Sequence, residues 1–290
     1  MTNKILTRSI LAVAILSCSI VGFAQEQEED TGKLPVKSTF SAGMLIENPT
    51  VISPFQGALE LNIQHRFANM NNGIKDIFGI YGSANTRIAL NYGITDRISV
   101  GFGTEMVNKL QDLSWKVALV KQTRSGSSPV SISYYGNIVL DTHDKDFFTP
   151  KNSYRYIHRL SYLTEVIVAR KFNDVLSLQV VPKFAYMNAV RDTMHKNINY
   201  GIAFGGRAKL WESKSIIFEY DQPLTSAETK SKPNLALGLE IGTATHAFQV
   251  FVTNSQNIVG QQNLAYNTND PFGGKFEKNF IFGFNITVKF

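Results

Sequence analysis

The chain of 290 residues has a single cysteine, at position 18. A disulfide or a multi-cysteine thiolate metal site needs at least a second, so both are excluded. Beyond residue 24 the chain also lacks any run of about eighteen apolar residues, the length a membrane-spanning helix requires. Charge is not heavily one-sided: 29 Lys and Arg face 23 Asp and Glu, for a net +6. The basic residues are scattered rather than clustered, so nothing marks a nucleic-acid surface. Enzyme signatures are missing as well. There is no G-x-S-x-G elbow, no H-E-x-x-H, no P-loop and no dinucleotide glycine fingerprint.

What is present begins with the first 24 residues. Lys4 and Arg8 precede an apolar stretch from position 10 to 20, and the small residues Gly22 and Ala24 stand before Gln25. This is the layout of a cleaved secretory leader. Removing Lys4 and Arg8 with it leaves about +4 by the same count. Cys18 fits a lipoprotein site poorly, because Leu16 suits that pattern badly and the apolar run continues past it. It is read as leaving with the leader.

The end of the chain alternates. Phe280, Phe282, Phe284, Ile286, Val288 and Phe290 share one strand face, opposite Gly283, Asn285, Thr287 and Lys289. Side chains alternate with period two along a strand, so one face wants an apolar medium and the other wants water. The same alternation predicts twelve strands, at 57–67, 85–93, 97–105, 112–121, 129–140, 159–171, 176–186, 199–210, 215–221, 234–242, 247–254 and 280–290. Segment 159–171 is apolar on both faces, so its orientation stays open. Most segments are near the nine to eleven residues of a tilted membrane-spanning strand.

The connections read long and short in strict alternation. That is the pattern of an up-and-down outer-membrane barrel with long extracellular loops and short periplasmic turns. Tyr92, Phe172, Trp211 and Phe290 fall beside the short turns. Phe67, Tyr186, Tyr200, Tyr220 and Phe280 fall beside the long loops, as two interfacial girdles would require. The expected organisation is a leader at 1–24, a segment at 25–56, and one all-β, antiparallel transmembrane barrel at 57–290. The middle segment either stays in the periplasm or folds back into the lumen as a plug, with a short strand expected at 39–45.

The inward positions carry Glu60, Arg66, Arg87, Lys116, Lys183, Arg207, Lys209, Glu219 and Glu240. Charges there must be paired or wet. They form either an ion-pair lattice that stiffens the barrel or a polar path for small solutes, with a basic lean. A weak divalent-cation candidate lies in one long loop at Asp141, Asp144 and Asp146, beside His143, but its spacing matches no calcium-loop repeat. His158 and Ser161 are the nearest approach to a hydrolase pair. Three residues apart on one strand, they would face opposite ways.

Several strings look similar to those of one family. They are Gly57-Ala58-Leu59-Glu60 with His65-Arg66-Phe67, and Asn85-Thr86-Arg87-Ile88 with Tyr92-Gly93-Ile94-Thr95-Asp96. Further along come Ala169-Arg170-Lys171-Phe172 leading to Leu176-Ser177-Leu178-Gln179, Gly205-Gly206-Arg207, and His246-Ala247-Phe248-Gln249 with Thr253-Asn254-Ser255. The last is Phe282-Gly283-Phe284-Asn285-Ile286. In order and spread, the chain resembles the β-barrel family catalogued as domain of unknown function 5777. The resemblance implies a small outer-membrane barrel and transfers no catalytic or binding residue. The expectation is a non-enzymatic, cofactor-free barrel in the outer membrane of a Gram-negative-type envelope, passing or binding small solutes. A closed barrel whose extracellular loops hold a partner is the alternative, and a lipid-acting hydrolase comes third. Its surroundings would be the lipid bilayer and the barrel assembly machinery, which would read the C-terminal strand at Phe284, Ile286, Val288 and Phe290.

Overall fold

Twelve antiparallel strands form the molecule: β1 (Leu59–Asn69), β2 (Asn85–Gly93), β3 (Ile98–Glu105), β4 (Leu110–Val120), β5 (Ser131–Asp141), β6 (Leu160–Lys171), β7 (Leu176–Met187), β8 (Ile198–Lys209), β9 (Lys214–Pro223), β10 (Asn234–Gly242), β11 (His246–Thr253) and β12 (Ile281–Lys289). The computed structural model describes residues 34–148, 153–190, 194–225 and 230–290. The leader, Cys18 and the acidic start of the following segment lie outside the described residues.

Each strand pairs with its sequence neighbours, and β12 pairs back onto β1, from Glu60↔Lys289 to Asn69↔Ile281. The ring is therefore closed. Closure is what allows strands to stand in lipid, because no backbone edge is left unpaired. The outward residues form an apolar belt. Phe102, Leu237, Leu239 and Val250 are each between 57 and 62% exposed. On β12, Phe282, Phe284, Ile286 and Val288 face out, while Gly283, Asn285 and Thr287 are buried inside.

The β6 orientation now follows. Ser161, Leu163, Glu165, Ile167 and Ala169 point into the lumen, with Tyr162, Thr164, Val166, Val168 and Arg170 on the outer face. Of the expected girdle, Tyr92, Phe172, Trp211 and Phe290 are exposed at the short-turn rim, and Tyr186 and Tyr200 at the opposite rim. Phe280 departs from it and is only 7% exposed. Its N–H closes the last turn of a short helix on Phe276 O at 2.9 Å, and its ring stacks on Phe276, so the strand starts one residue later.

The strict alternation of loop lengths does not hold. At the long-loop end, β3 and β4 are joined by residues 106–109 alone. At the other end, β4 and β5 are joined by the longer stretch 121–130. The extra residues there receive the incoming chain. Val36 N–H donates to Gln122 O, Arg124 N–H donates to Leu34 O, and Pro35 forms a bridge with Thr123.

From that tether the chain enters the ring, turns, and leaves again at the same end. Inside it makes no strand at 39–45. A single bridge, Met44↔Pro49, marks the turn, with Leu45 N–H on Asn48 O and Thr50 N–H on Gly43 O. The segment meets side chains of the wall rather than a free strand edge, so no ladder can form. Its exit is pinned by Gly57 N–H to Gly93 O and Gly93 N–H to Ala58 O.

A Cβ at Gly93 would sit 1.9 Å from Phe55 O. Gly93→Ala is thus expected to push the exit strap off β2 at a cost of about 1–3 kcal/mol. Limited proteolysis near Phe55 reads this as cleavage at least several-fold faster than in wild type. Equal rates would refute it.

Candidate functional site

The lumen holds two inserts from the same chain. From the short-turn end comes the hairpin of residues 38–56. From the long-loop end the β11–β12 connection dips in, carrying α1 (Gly260–Tyr266), and α2 (Phe276–Asn279) follows it at the rim. Gln261, Leu264 and Ala265 of α1 are buried. Leu264 packs with Leu163 and Ala185, and Gln261 Nε2 donates to Asn137 Oδ1 at 2.8 Å.

The hairpin is held in two ways. Phe40, Leu45 and Ile46 pack on Ala169, Ile217, Ala236 and Phe251 of the β6–β11 wall. Gly205 makes room for this, since a Cβ there would lie 2.8 Å from Leu45. The hairpin tip is held by charge. Glu47 and Arg66 form a two-pronged pair, Nη2 to Oε2 at 2.9 Å and Nε to Oε1 at 3.3 Å, with both side chains at most 1% exposed. The other Arg66 donors reach His65 O, Asn285 Oδ1 and Ile46 O, so all five are met. Burial pushes the Glu47 carboxyl up, and the Arg66 guanidinium opposes that shift.

Glu219 accepts the backbone N–H groups of Glu47 and Asn48, and Asn48 Nδ2 donates to Asp221 at 2.9 Å. Lys183 donates to the Asn48 side-chain oxygen and pairs with Asp221 at 2.7 Å. Lys116 Nζ donates to Gly43 O at 3.1 Å and Ile52 O at 2.7 Å. Near the entry, Ser41 Oγ donates to Glu240, whose carboxylate also takes Arg207 Nε at 2.7 Å. Lys289 Nζ reaches Ser41 O.

Of the nine inward charges read from the sequence, Arg66, Lys116, Lys183, Glu219 and Glu240 bond the hairpin directly. Arg207 acts through Glu240. Glu60 lies against Gly43, and Arg87 belongs to the wall, bound to Asp112 by Nε at 2.8 Å and Nη2 at 2.6 Å. Lys209 lines an open vestibule of about 970 Å³ at the short-turn end.

Sequence reasoning missed Glu47, Glu105, Asp112, Glu165 and Asp221, all buried. With them the interior leans acidic rather than basic. Glu105, Asp112 and Asp221 lie in phase with inward residues already identified on their strands, so strict parity would have found them. Glu165 was hidden on β6, and Glu47 lies on no strand.

The other candidates do not assemble. Asp141 Oδ1 accepts from His143 N–H at 2.9 Å and contacts its Nδ1 at 2.7 Å. Among the described residues no three such side chains gather at metal-binding spacing. His158 is not on a strand with Ser161. It sits on the 3-10 turn Tyr156–Arg159, where Nδ1 accepts from Arg155 N–H at 3.2 Å.

A sealed ring, an apolar belt and a polar interior filled by the chain's own segments define a membrane-bound β-barrel with an occupied lumen. The chain belongs to the family described as Membrane bound beta barrel domain (DUF5777), whose model matches residues 40–290. That match starts at the hairpin, so the insert belongs to the family unit. No curated protein matches the chain.

Among solved structures it is similar to the KdgM porin, at 8% identity and TM-score 0.47, covering 80% of this chain and 99% of that one. It is also similar to the NanC porin, at 9% identity and TM-score 0.48, with 80% and 98% covered. A third is the COG4313 outer membrane channel from Pseudomonas putida F1, at 11% identity and TM-score 0.48, with 91% and 100% covered.

Proposed function

We propose that the protein is a non-enzymatic outer-membrane barrel that passes small solutes and is shut by its own hairpin. One observation carries the reading: the bore is filled by two inserted segments, not by the wall. An eight-stranded barrel is about filled by its own side chains, and sixteen strands leave an aqueous channel. Twelve strands leave space, which residues 38–56 and 258–266 occupy here. Withdrawing the hairpin would uncover Glu60, Arg66, Lys116, Lys183 and Glu219, a wet, mixed-charge lining. The short-turn end would face the periplasm and the long loops the outside. The leader-like N-terminus and the apolar belt support that location, and the pattern Phe284, Ile286, Val288, Phe290 supports insertion by the barrel assembly machinery.

A partner-binding barrel is the second reading. It is favoured by exposed Ile74, Phe78 and Tyr81 in the β1–β2 loop.

A disulfide test separates them. A Cβ at Gly242 would lie 2.9 Å from Ser41 Cβ, about 0.6 Å below the lower end of the disulfide range, so a small outward shift of the hairpin seats the bond. Ser41→Cys with Gly242→Cys should lock the hairpin. The expected result in planar bilayers is no current when oxidised, with discrete steps returning on reduction. No current from the reduced protein, nor from one lacking residues 39–50, would sink the passage reading and leave the partner-binding one.

A further inference from the structure

A second site lies beside the hairpin. The hairpin leans on the β6–β11 wall and leaves a cavity of about 60 Å³ against β1–β6, roofed by Ile258, Val259 and Gly260. At about 10–15 Å³ per occupant it holds a few waters or an ion with part of its shell.

The buried charges around it do not balance. The buried carboxylates here are Glu47, Glu60, Asp112, Glu165, Glu219 and Asp221, against the cations Arg66, Arg87, Lys116 and Lys183. Arg66 takes Glu47, Arg87 takes Asp112, and Lys183 takes Asp221 most closely. Glu219 is held by two hairpin N–H groups. Glu60 and Glu165 remain, with Lys116 acting on both, Lys289 across from Glu60 on the neighbouring strand, and a longer 3.4 Å contact from Lys183 to Glu165. The Lys116 hydrogen bonds go to hairpin carbonyls and not to either carboxylate.

Three buried oxygens consequently have no partner: Glu60 Oε2, Asn62 Oδ1 and Glu165 Oε2. All three residues are at most 2% exposed and line the cavity. Unpaired acceptors in such a place are costly. Gln64 Nε2 is also unpartnered, and its orientation is fixed because Arg87 takes Gln64 Oε1, so it suits a hydrating water.

We infer that this cavity binds a monovalent cation, Na⁺ or K⁺, through Glu60, Asn62 and Glu165. Oxygen-only ligands suit a hard ion. Lys116 and Lys289 together offset Glu60 and Glu165, so no surplus of negative charge is left for a divalent ion. No third carboxylate or imidazole converges, among the described residues, to supply the charge a divalent ion needs. The site shares the lumen with the proposed passage but stands separately, since binding needs no current.

The test is thermal unfolding of the folded full chain in detergent, moving from choline chloride to NaCl or KCl at constant ionic strength and fixed pH. The expected result is a saturable rise in Tm of about 2–4 °C. The rise should vanish in Glu60→Gln. Should that variant not fold, Asn62→Asp adds a ligand charge and should lower the half-saturating concentration at least about tenfold. Crystals soaked in Rb⁺ or Tl⁺ should give an anomalous peak between Glu60 and Glu165. Identical Tm in choline, Na⁺ and K⁺ would overturn the inference. So would a response to pH alone, an unchanged response in both variants, or only waters in the cavity.

Discussion

Replacing Glu47 with alanine is expected to cost the shut state about 3–5 kcal/mol, because it leaves the Arg66 guanidinium buried without its counter-charge. Arg66 would keep His65 O and Asn285 Oδ1 but lose both prongs of the carboxylate. The ring itself does not depend on this pair, since every strand is sealed by its own two neighbours. The penalty therefore falls on the docked hairpin, whose departure lets water reach the arginine. At 1.4 kcal/mol per decade, the ratio of shut to open shifts by about two to three and a half decades. Single-channel recording should show a large gain in open time, and protease should reach residues 38–56. The converse variant, Glu47→Leu with Arg66→Met, removes both charges and should stay shut, because replacing a buried pair by apolar groups is close to neutral. A shut, protease-resistant Glu47→Ala protein would rule out the latch.

Asp112→Ala should have an effect of the same size and a different outcome. Arg87 and Asp112 lie on neighbouring regions of the wall, and Asn137 Nδ2 adds a bond to the same carboxylate at 3.1 Å. Losing Asp112 strands Arg87, again at about 3–5 kcal/mol. Here the cost falls on β2, β4 and β5, so the barrel should unfold at lower temperature while its current stays as in wild type. Heat-dependent gel mobility and conductance together separate the two variants. If Asp112→Ala conducts more and melts normally, the assignment of that pair to the wall is wrong.

These contrasts bear on what could be read from the chain. Strand positions were legible because eleven of the twelve segments meet lipid on one face and water or polar groups on the other. β6 was illegible for a reason now visible: its lumen face carries Leu163, Ile167 and Ala169, which pack against the inserts or their surroundings. Where a barrel encloses apolar chain, alternation of polarity disappears. The hairpin had no periodicity to read, since its backbone is satisfied by single side chains such as Glu219, Gln179, Gln249 and Asn285 rather than by a ladder. The sign of the interior was misjudged because the overlooked carboxylates sit near strand ends, on the doubly apolar strand, or on the hairpin.

The seam between β1 and β12 also has a consequence for the order of folding. The receptor for the hairpin tip is built from Arg66 on β1, Asn285 on β12 and Glu219 on β9. Arg66 and Asn285 are 219 residues apart in sequence. Bringing together such distant strands is intrinsically slow. Before that happens the tip has only fragments of its receptor to bind. Hairpin docking is thus a late event whose rate cannot exceed that of ring closure. A probe on Glu47 would act as a clock for the moment the last strand finds the first.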